Sequence, residues 1–174
     1  MSEVGYNVCL SLLGHLLQAL LVAYFLQKVI MESLQHSPWV AQCPVTNYSE
    51  WSKLGPYCVK YFQQPVPFGQ AEMKCRGEAP DSHLISIHDG ETNNGVQILT
   101  GSGNAMVWIG GMRLPNGGQF VWTDGSKWDY TNWVPGQPDG NGDCVQINWN
   151  IPGMWDDVQC WSRLGYICAF KMQG

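Results

Sequence analysis

Most of the chain after residue 42 is built from short segments in which apolar residues alternate with polar ones or follow one another directly. Both patterns, over four to eight residues bounded by Gly, Pro, Asn or Asp, are typical of β-strands. Strands are therefore predicted at 57–62, 83–88, 106–111, 119–122, 144–149 and 165–170, and a further strand begins at Met154.

Two segments have helical rather than strand spacing. Within residues 67–77 the apolar side chains of Phe68, Ala71 and Cys75 recur at intervals that place them on one helix face. A second helix is predicted from Glu91 to Leu99, with the side chain of Asp89 as its N-cap. Two helices combined with many short strands indicate an α+β domain.

Residues 125–141 form a long segment with no regular pattern, rich in Trp, Gly and Pro. Loops of this length inside a compact domain are uncommon and usually carry function. A binding region is therefore expected in or next to this segment.

The N-terminal segment is apolar, and residues 4–27 contain no Asp, Glu, Lys or Arg. It is long for the apolar part of a signal peptide, about 7–15 residues, and barely long enough for a membrane span of about 20. We interpret 1–27 as a signal sequence or signal-anchor, 28–42 as a linker or neck, 43–170 as the domain and 171–174 as a tail. Both N-terminal interpretations place the domain outside the cytoplasm, and the chain contacts a membrane only if this segment is retained.

Length and charge narrow the class of protein. The 174 residues suit one domain with a short extra segment, and the net charge is −5 with only 13% charged residues. The chain contains no run of basic residues, so nucleic acid is not expected as a partner.

The cysteines predict disulfides. Cys9 lies in the apolar N-terminal segment, and the other six cysteines follow residue 42 without any C-x-x-C pair, which disfavours a zinc site. Disulfides imply an oxidising compartment. The sequence Asn47-Tyr48-Ser49 is an N-glycosylation sequon, consistent with the secretory route. We therefore expect an extracellular, secreted protein with a glycan on Asn47, or alternatively a type II membrane protein.

Nothing in the sequence predicts an enzyme. The four histidines are scattered, and no serine lies in a nucleophile-elbow pattern.

From Cys43 to about Phe170 the chain resembles the C-type lectin-like domain in its long form. Several marks carry this resemblance in the family's order: Cys43-Pro44, Tyr57-Cys58, Ala71-Glu72-Met73-Lys74-Cys75, Trp108-Ile109-Gly110-Gly111, Trp122-Thr123-Asp124-Gly125, Asn132-Trp133, Gln137-Pro138-Asp139, Trp155-Asp156-Asp157 and Tyr166-Ile167-Cys168. It implies two helices, two small antiparallel sheets, a long calcium- and sugar-binding loop region and three disulfides: Cys43–Cys58, Cys75–Cys168 and Cys144–Cys160.

The resemblance also implies a calcium site. Calcium prefers about 6–8 oxygen ligands, and the family places them in a loop with a cis Gln137–Pro138 bond and on the following strand. Gly142 stands where the family usually has an acidic ligand, so Asp143 or Asn141 is a candidate substitute. The candidate metal ligands are Gln137, Asp139, Asp143, Asp156 and Asp157.

The Gln-Pro-Asp sequence resembles galactose-type members of the family, whereas mannose-type members carry Glu-Pro-Asn. We therefore expect a calcium-dependent lectin specific for galactose or N-acetylgalactosamine, with a role in innate immune recognition. The candidate sugar-binding residues are Gln137, Asp139, Asp156 and, as a stacking ring, Trp149.

Two other functions stay open. Type II antifreeze proteins of fish share the fold, so calcium-dependent ice binding is one alternative. A membrane receptor that binds protein ligands without calcium is the other. The sequence leaves the natural glycan and the formation of a homo-oligomer undecided.

Overall fold

The structure is a computed structural model that describes residues 18, 20–27, 41–101, 105–115 and 118–173. The chain divides into two units, residues 1–38 and 39–174. In the first unit residues 20–27 are helical, with exposed apolar side chains. No helix within the described residues is both long and apolar enough to cross a membrane. Most of the predicted signal sequence or anchor, Cys9 and nearly all of the predicted neck lie outside the described residues.

The second unit contains the predicted mixture of short strands and helices. The helices are α1 (Phe68–Glu78) and α2 (Gly90–Leu99). The strands are β1 (Ala41–Gln42), β2 (Ser52–Leu54), β3 (Tyr57–Val66), β4 (His83–Leu84), β5 (Val107–Arg113), β6 (Phe120–Trp122), β7 (Cys144–Ile147), β8 (Trp155–Val158) and β9 (Leu164–Lys171).

The described strands form one hydrogen-bonded sheet in the order β1-β2-β3-β9-β5-β7-β8, with β4 added on β9 and β6 on β5. Neighbouring strands are antiparallel except β5 and β9, which pair parallel through Val107 with Gly165 and Trp108 with Tyr166. The α+β fold class is confirmed. The two antiparallel sheets implied by the resemblance are joined by this short parallel contact.

Two local predictions differ from the structure. The predicted strand 83–88 pairs in register with β9 only at His83 and Leu84. At Ile85 the backbone is shared between two strands, because its N donates to Ile167 O of β9 at 3.0 Å and its carbonyl accepts from Gly110 N of β5 at 2.8 Å. Strand β3 continues through Pro65, where the sequence predicts its end, because the pairing with β9 shifts register between Phe62 and Val66. A proline without an N–H is tolerated at such a bulge.

Large indole rings lie at the centre of the core. Trp108 and Trp155 are fully buried, and their N–H groups are both satisfied. Trp108 Nε1 donates to the Val66 carbonyl at 2.9 Å, and Trp155 Nε1 donates to Asn93 Oδ1 at 2.8 Å. Because each polar tip has a partner, the rings are buried without the penalty of an unpaired donor. The second bond also ties α2 to the strand that carries the candidate site.

All three implied disulfides are present. Cys43–Cys58 links the residue that follows β1 with strand β3. Cys75–Cys168 links α1 with β9, and Cys144–Cys160 links β7 with the segment that follows β8. The disulfide prediction is thus confirmed for all six cysteines after residue 42.

Candidate functional site

The long irregular segment reaches the sheet at β8. Among residues 123–143, all of which are described, the only sheet pairing is a single bridge between Trp133 and Trp155. On either side of it, Val134 N donates to Trp155 O at 2.9 Å and Trp155 N donates to Asn132 O at 2.8 Å. These bonds fix the segment beside β8, so the following turn lies close to Asp156 and Asp157.

The turn at Gln137-Pro138-Asp139 contains the cis peptide bond that the resemblance implied. Gln137 Oε1 accepts from Asp139 N at 2.8 Å. The Asp139 carboxylate accepts from Asn141 N at 2.9 Å and from Asn141 Nδ2 at 3.1 Å. The turn is thus ordered by its own amide hydrogen bonds and places two oxygen-bearing side chains at the surface.

Asp157 is fully buried and holds this turn against β8. Its Oδ1 accepts from Asp139 N at 2.9 Å, and its Oδ2 accepts from Gly140 N at 3.0 Å. Its Oδ2 also accepts from Arg113 Nη2 at 2.6 Å. The predicted ligand Asp157 is therefore already engaged by two backbone amides and a guanidinium.

Asp156 has only half of its carboxylate satisfied. The residue is 4% exposed, and its Oδ2 accepts from Gln146 Nε2 at 2.7 Å. Its Oδ1 is buried without a hydrogen-bond partner among the described residues. Desolvation raises the pKa of Asp156, and the negative charges of Asp157 and Asp139 raise that pKa further.

Gly142 and Asp143 explain the departure from the family pattern. A Cβ atom at position 142 would lie 2.0 Å from the Val158 carbonyl carbon and 2.3 Å from its oxygen. The acidic side chain that the family usually carries here therefore does not fit this loop conformation. The neighbouring carboxylate of Asp143 is 70% exposed, and its Oδ1 lies 3.6 Å from Arg113 Nε.

The structure thus brings Gln137, Asp139, Asp156 and Asp157 to one place, with Asp143 at its border. Trp149 is half-buried in the turn after β7. It therefore lies at the other end of that strand from Asp143. Arg113 and Gln146, which bond the two aspartates of β8, were missed by the sequence analysis. Neither carries a sequence signal, because one is a lone arginine at a strand end and the other a single polar residue inside an apolar strand.

The oxygen atoms gathered at this site suit a calcium ion only in part. Carboxylate and amide oxygens are the ligands calcium prefers, and the unpartnered Asp156 Oδ1 is an acceptor that a cation would satisfy. Asp143 and Asp157, by contrast, already lie beside Arg113. Within the described ranges no three carboxylate, imidazole or thiol side chains are arranged to hold a metal ion.

The predicted glycosylation site is accessible. Asn47 is exposed in a turn in which Tyr48 N donates to Val45 O at 3.1 Å. Its φ of 74° is one that asparagine tolerates better than most residues. Glycosylation itself stays a prediction.

Comparison with known proteins identifies the family. The model of the family described as Lectin C-type domain matches residues 64–170. The fold, the disulfides and this match agree, and the chain belongs to the C-type lectin domain family.

Individual relatives and a solved structure agree with that assignment. The chain is 34% identical over 117 residues to a lectin of Pleurodeles waltl, covering 64% of this chain and 68% of that one. It is 31% identical over 143 residues to the alpha-N-acetylgalactosamine-specific lectin of Patiria pectinifera, covering 75% and 83%. The structure of a herring type II antifreeze protein superimposes with a TM-score of 0.68 and 28% identity, covering 75% of this chain and 100% of that one. Other relatives are much longer, and the chain spans 4% of the versican core protein of Rattus norvegicus.

Proposed function

We propose that this protein is a calcium-dependent, carbohydrate-binding lectin of the galactose type. One observation carries the proposal: the Gln137–Asp139 turn is hydrogen-bonded onto the buried aspartate pair of β8, next to an acceptor oxygen of Asp156 that has no partner among the described residues. Membership of the C-type lectin family supports it, as does the sugar that gives the Patiria relative its name.

The residues proposed to hold calcium are Gln137, Asp139 and Asp156, with Asp157 and Asp143 as further candidates. When bound, the ion supplies open coordination positions that hydroxyl oxygens can fill. The carboxylate of Asp139 then accepts hydrogen bonds from sugar hydroxyls, and the amide of Gln137 donates to them. Such a shallow site buries few atoms, so the affinity for a single sugar is expected to be about millimolar.

The specificity for galactose rests on the chemistry of positions 137 and 139. An amide followed by a carboxylate offers a donor and then an acceptor, whereas Glu-Pro-Asn offers the reverse order. Because two neighbouring sugar hydroxyls must match this order, exchanging the two side chains should exchange the preferred sugar. Trp149 remains the proposed stacking ring for the apolar face of the sugar.

The first test is affinity chromatography of the secreted product of the full chain on immobilised galactose. We expect retention in calcium, release by galactose but not by mannose, and loss of retention in EDTA. Asp139→Ala and Asp156→Ala should abolish retention, whereas Glu78→Gln, an exposed change on α1, should not alter it. Retention that survives EDTA would contradict the calcium dependence, and release by mannose would contradict the specificity.

Ice binding is the second candidate, because the herring antifreeze protein superimposes over its whole length. Thermal hysteresis measurements separate the two functions: a lectin without ice affinity shows none. The third alternative, a receptor for protein ligands, requires the N-terminal segment to be retained. N-terminal sequencing of the expressed product tests this requirement, and a start beyond residue 23 would exclude a retained anchor.

The disulfides bear on the cellular compartment of the domain. Three disulfides are stable in an oxidising environment, and we propose that the domain is extracellular and carries a glycan on Asn47. Mass spectrometry before and after enzymatic removal of N-glycans tests the modification. The role in innate recognition and the lack of enzymatic activity stay predictions.

A further inference from the structure

We propose that Arg113 is an internal counter-cation of the binding site. Its guanidinium holds the loop from Asp139 to Asp143 on β8 without a metal and lowers the affinity of the site for calcium. The part of this proposal that concerns calcium rests on the proposed function, whereas the part that concerns the loop does not.

Arg113 lies at the end of β5 and is bound to the loop at several points. Its Nη2 donates to Asp157 Oδ2 at 2.6 Å and to the Gly142 carbonyl at 3.2 Å. Its backbone N donates to the Asp143 carbonyl at 2.7 Å. One residue thus contacts both the loop and the buried carboxylate to which the loop amides are bonded.

The Arg113–Asp157 pair is buried, unlike an ordinary surface ion pair. The side chain of Arg113 is 20% exposed and that of Asp157 is 0% exposed. The guanidinium also lies 4.8 Å from the centre of the Phe120 ring, which shields it from water and attracts it by a cation–π interaction. Surface pairs contribute little to stability, but breaking a buried pair leaves a charge without compensation.

Both carboxylate oxygens of Asp157 already accept hydrogen bonds. Its two oxygens receive bonds from Asp139 N, Gly140 N and Arg113 Nη2. A metal ion that used this carboxylate would have to replace the guanidinium, or lie beside it and be repelled by its charge. In either case the arginine opposes calcium.

The absence of an acidic side chain at position 142 fits the same picture. Because Gly142 allows the loop backbone to approach Val158 closely, its carbonyl comes within hydrogen-bond distance of Arg113. In the family pattern a carboxylate at this position binds the calcium ion. In this chain the carboxylate is missing, and the guanidinium of Arg113 supplies the positive charge. The departure at Gly142 and the presence of Arg113 are two parts of one arrangement.

The decisive variant is Arg113→Gln in the full chain. Two controls accompany it: Arg113→Lys keeps the positive charge at position 113, and Arg163→Gln removes an exposed charge in the turn before β9. Calcium affinity is measured by isothermal titration calorimetry. Removing a positive charge this close to the ligands should tighten calcium binding at least about tenfold. Arg113→Lys and Arg163→Gln should stay within about threefold of the unmodified protein, because both leave a cation beside Asp157.

A second measurement needs no metal. In EDTA, hydrogen exchange followed by NMR should show protected amides at Asp139 and Gly140, since both donate to the buried Asp157. In Arg113→Gln these two amides should exchange at least about tenfold faster. Free exchange of both amides in the unmodified protein in EDTA would overturn the loop part of the proposal.

The two proposals fail in different ways. Retention on galactose together with unchanged calcium affinity in Arg113→Gln would overturn the role of Arg113 and leave the lectin function intact. Protected loop amides in EDTA without retention on galactose would support the role of Arg113 in holding the loop and contradict the lectin function. Lack of calcium uptake by both proteins would overturn the calcium part of both proposals.

Discussion

At the scale of single residues, Asp156 is a side chain whose burial is compensated only in part. It is buried, one of its oxygens has no partner among the described residues, and two further carboxylates lie near it. A buried charge that is only half satisfied destabilises a fold unless a ligand compensates it. A stability cost of this kind is expected at a binding site, where the missing partner is the ligand.

Asp156→Asn should therefore stabilise the protein in EDTA at neutral pH, by roughly 1 kcal/mol or about 2–4 °C in Tm, since one buried oxygen of the carboxylate has no partner among the described residues. The substitution removes the charge and offers an amide donor to the neighbouring carboxylates. Thermal unfolding followed by circular dichroism measures the change. The remote substitution Glu78→Gln should leave Tm within about 1 °C.

The pH dependence of this difference has a definite sign. Because the pKa of Asp156 is raised in the folded protein, the unfolded chain ionises first as the pH rises above about 4. The penalty begins there and is complete above the raised pKa. The Tm difference between Asp156→Asn and the unmodified protein should vanish near pH 4, and a difference that grows on acidification would contradict this explanation.

At the scale of elements, the loop from Asp139 to Asp143 and strand β8 form one unit. Loop amides donate to Asp157, and the backbone at Gly142 packs directly on that of Val158. The contact is between main chains, so it leaves no room for a side chain at position 142. The glycine is required by this close approach.

Gly142→Ala should lower the free energy of unfolding by roughly 3 kcal/mol, because the new Cβ would overlap backbone atoms that cannot move aside alone. Gly77→Ala is the matched control. It is the same chemical change in α1, where no atom lies within 4 Å of the new Cβ, and it should raise the free energy by about 0.5 kcal/mol. Urea titrations measure both, and equal losses would show that the close approach at Gly142 is unimportant.

The elements also show what the sequence could and could not predict. Periodicity located both helices and most strands, because burial on one face imposes a pattern of period 3.6 or 2. The N-cap of α2 was predicted correctly, since Asp89 Oδ1 accepts from Thr92 N at 2.6 Å. The partners of the site aspartates were not predictable, because Arg113 is 44 residues from Asp157 in sequence and only the pairing of β5 with β7 and of β7 with β8 brings them together.

At the scale of the whole molecule, the three disulfides differ in the length of chain that they close. Cys75–Cys168 spans 93 residues and connects α1 to the central strand β9, whereas Cys144–Cys160 spans 16 residues beside the site. A longer closed loop removes more conformational entropy from the unfolded chain. Their pairing could be predicted only through the resemblance, because cysteine spacing alone left several pairings open.

Replacing Cys75 and Cys168 together by Ala should cost roughly 4–5 kcal/mol, and replacing Cys144 and Cys160 about 3 kcal/mol. Guanidinium unfolding of both double variants under non-reducing conditions measures the two losses. A larger loss from the shorter loop would mean that its contacts in the folded state, rather than the entropy of the unfolded chain, determine its contribution.

The strand order also separates the site from the point where the chain enters the domain. Strand β1 lies at one end of the strand order and β8 at the other, so six interstrand steps, each about 4.8 Å along the sheet, separate them. Under the proposed lectin function, copies of the domain joined through the chain ahead of Ala41 would therefore keep the Gln137–Asp139 turn clear of the junction. Weak single-site binding then becomes useful through avidity on a surface that displays many copies of the same glycan.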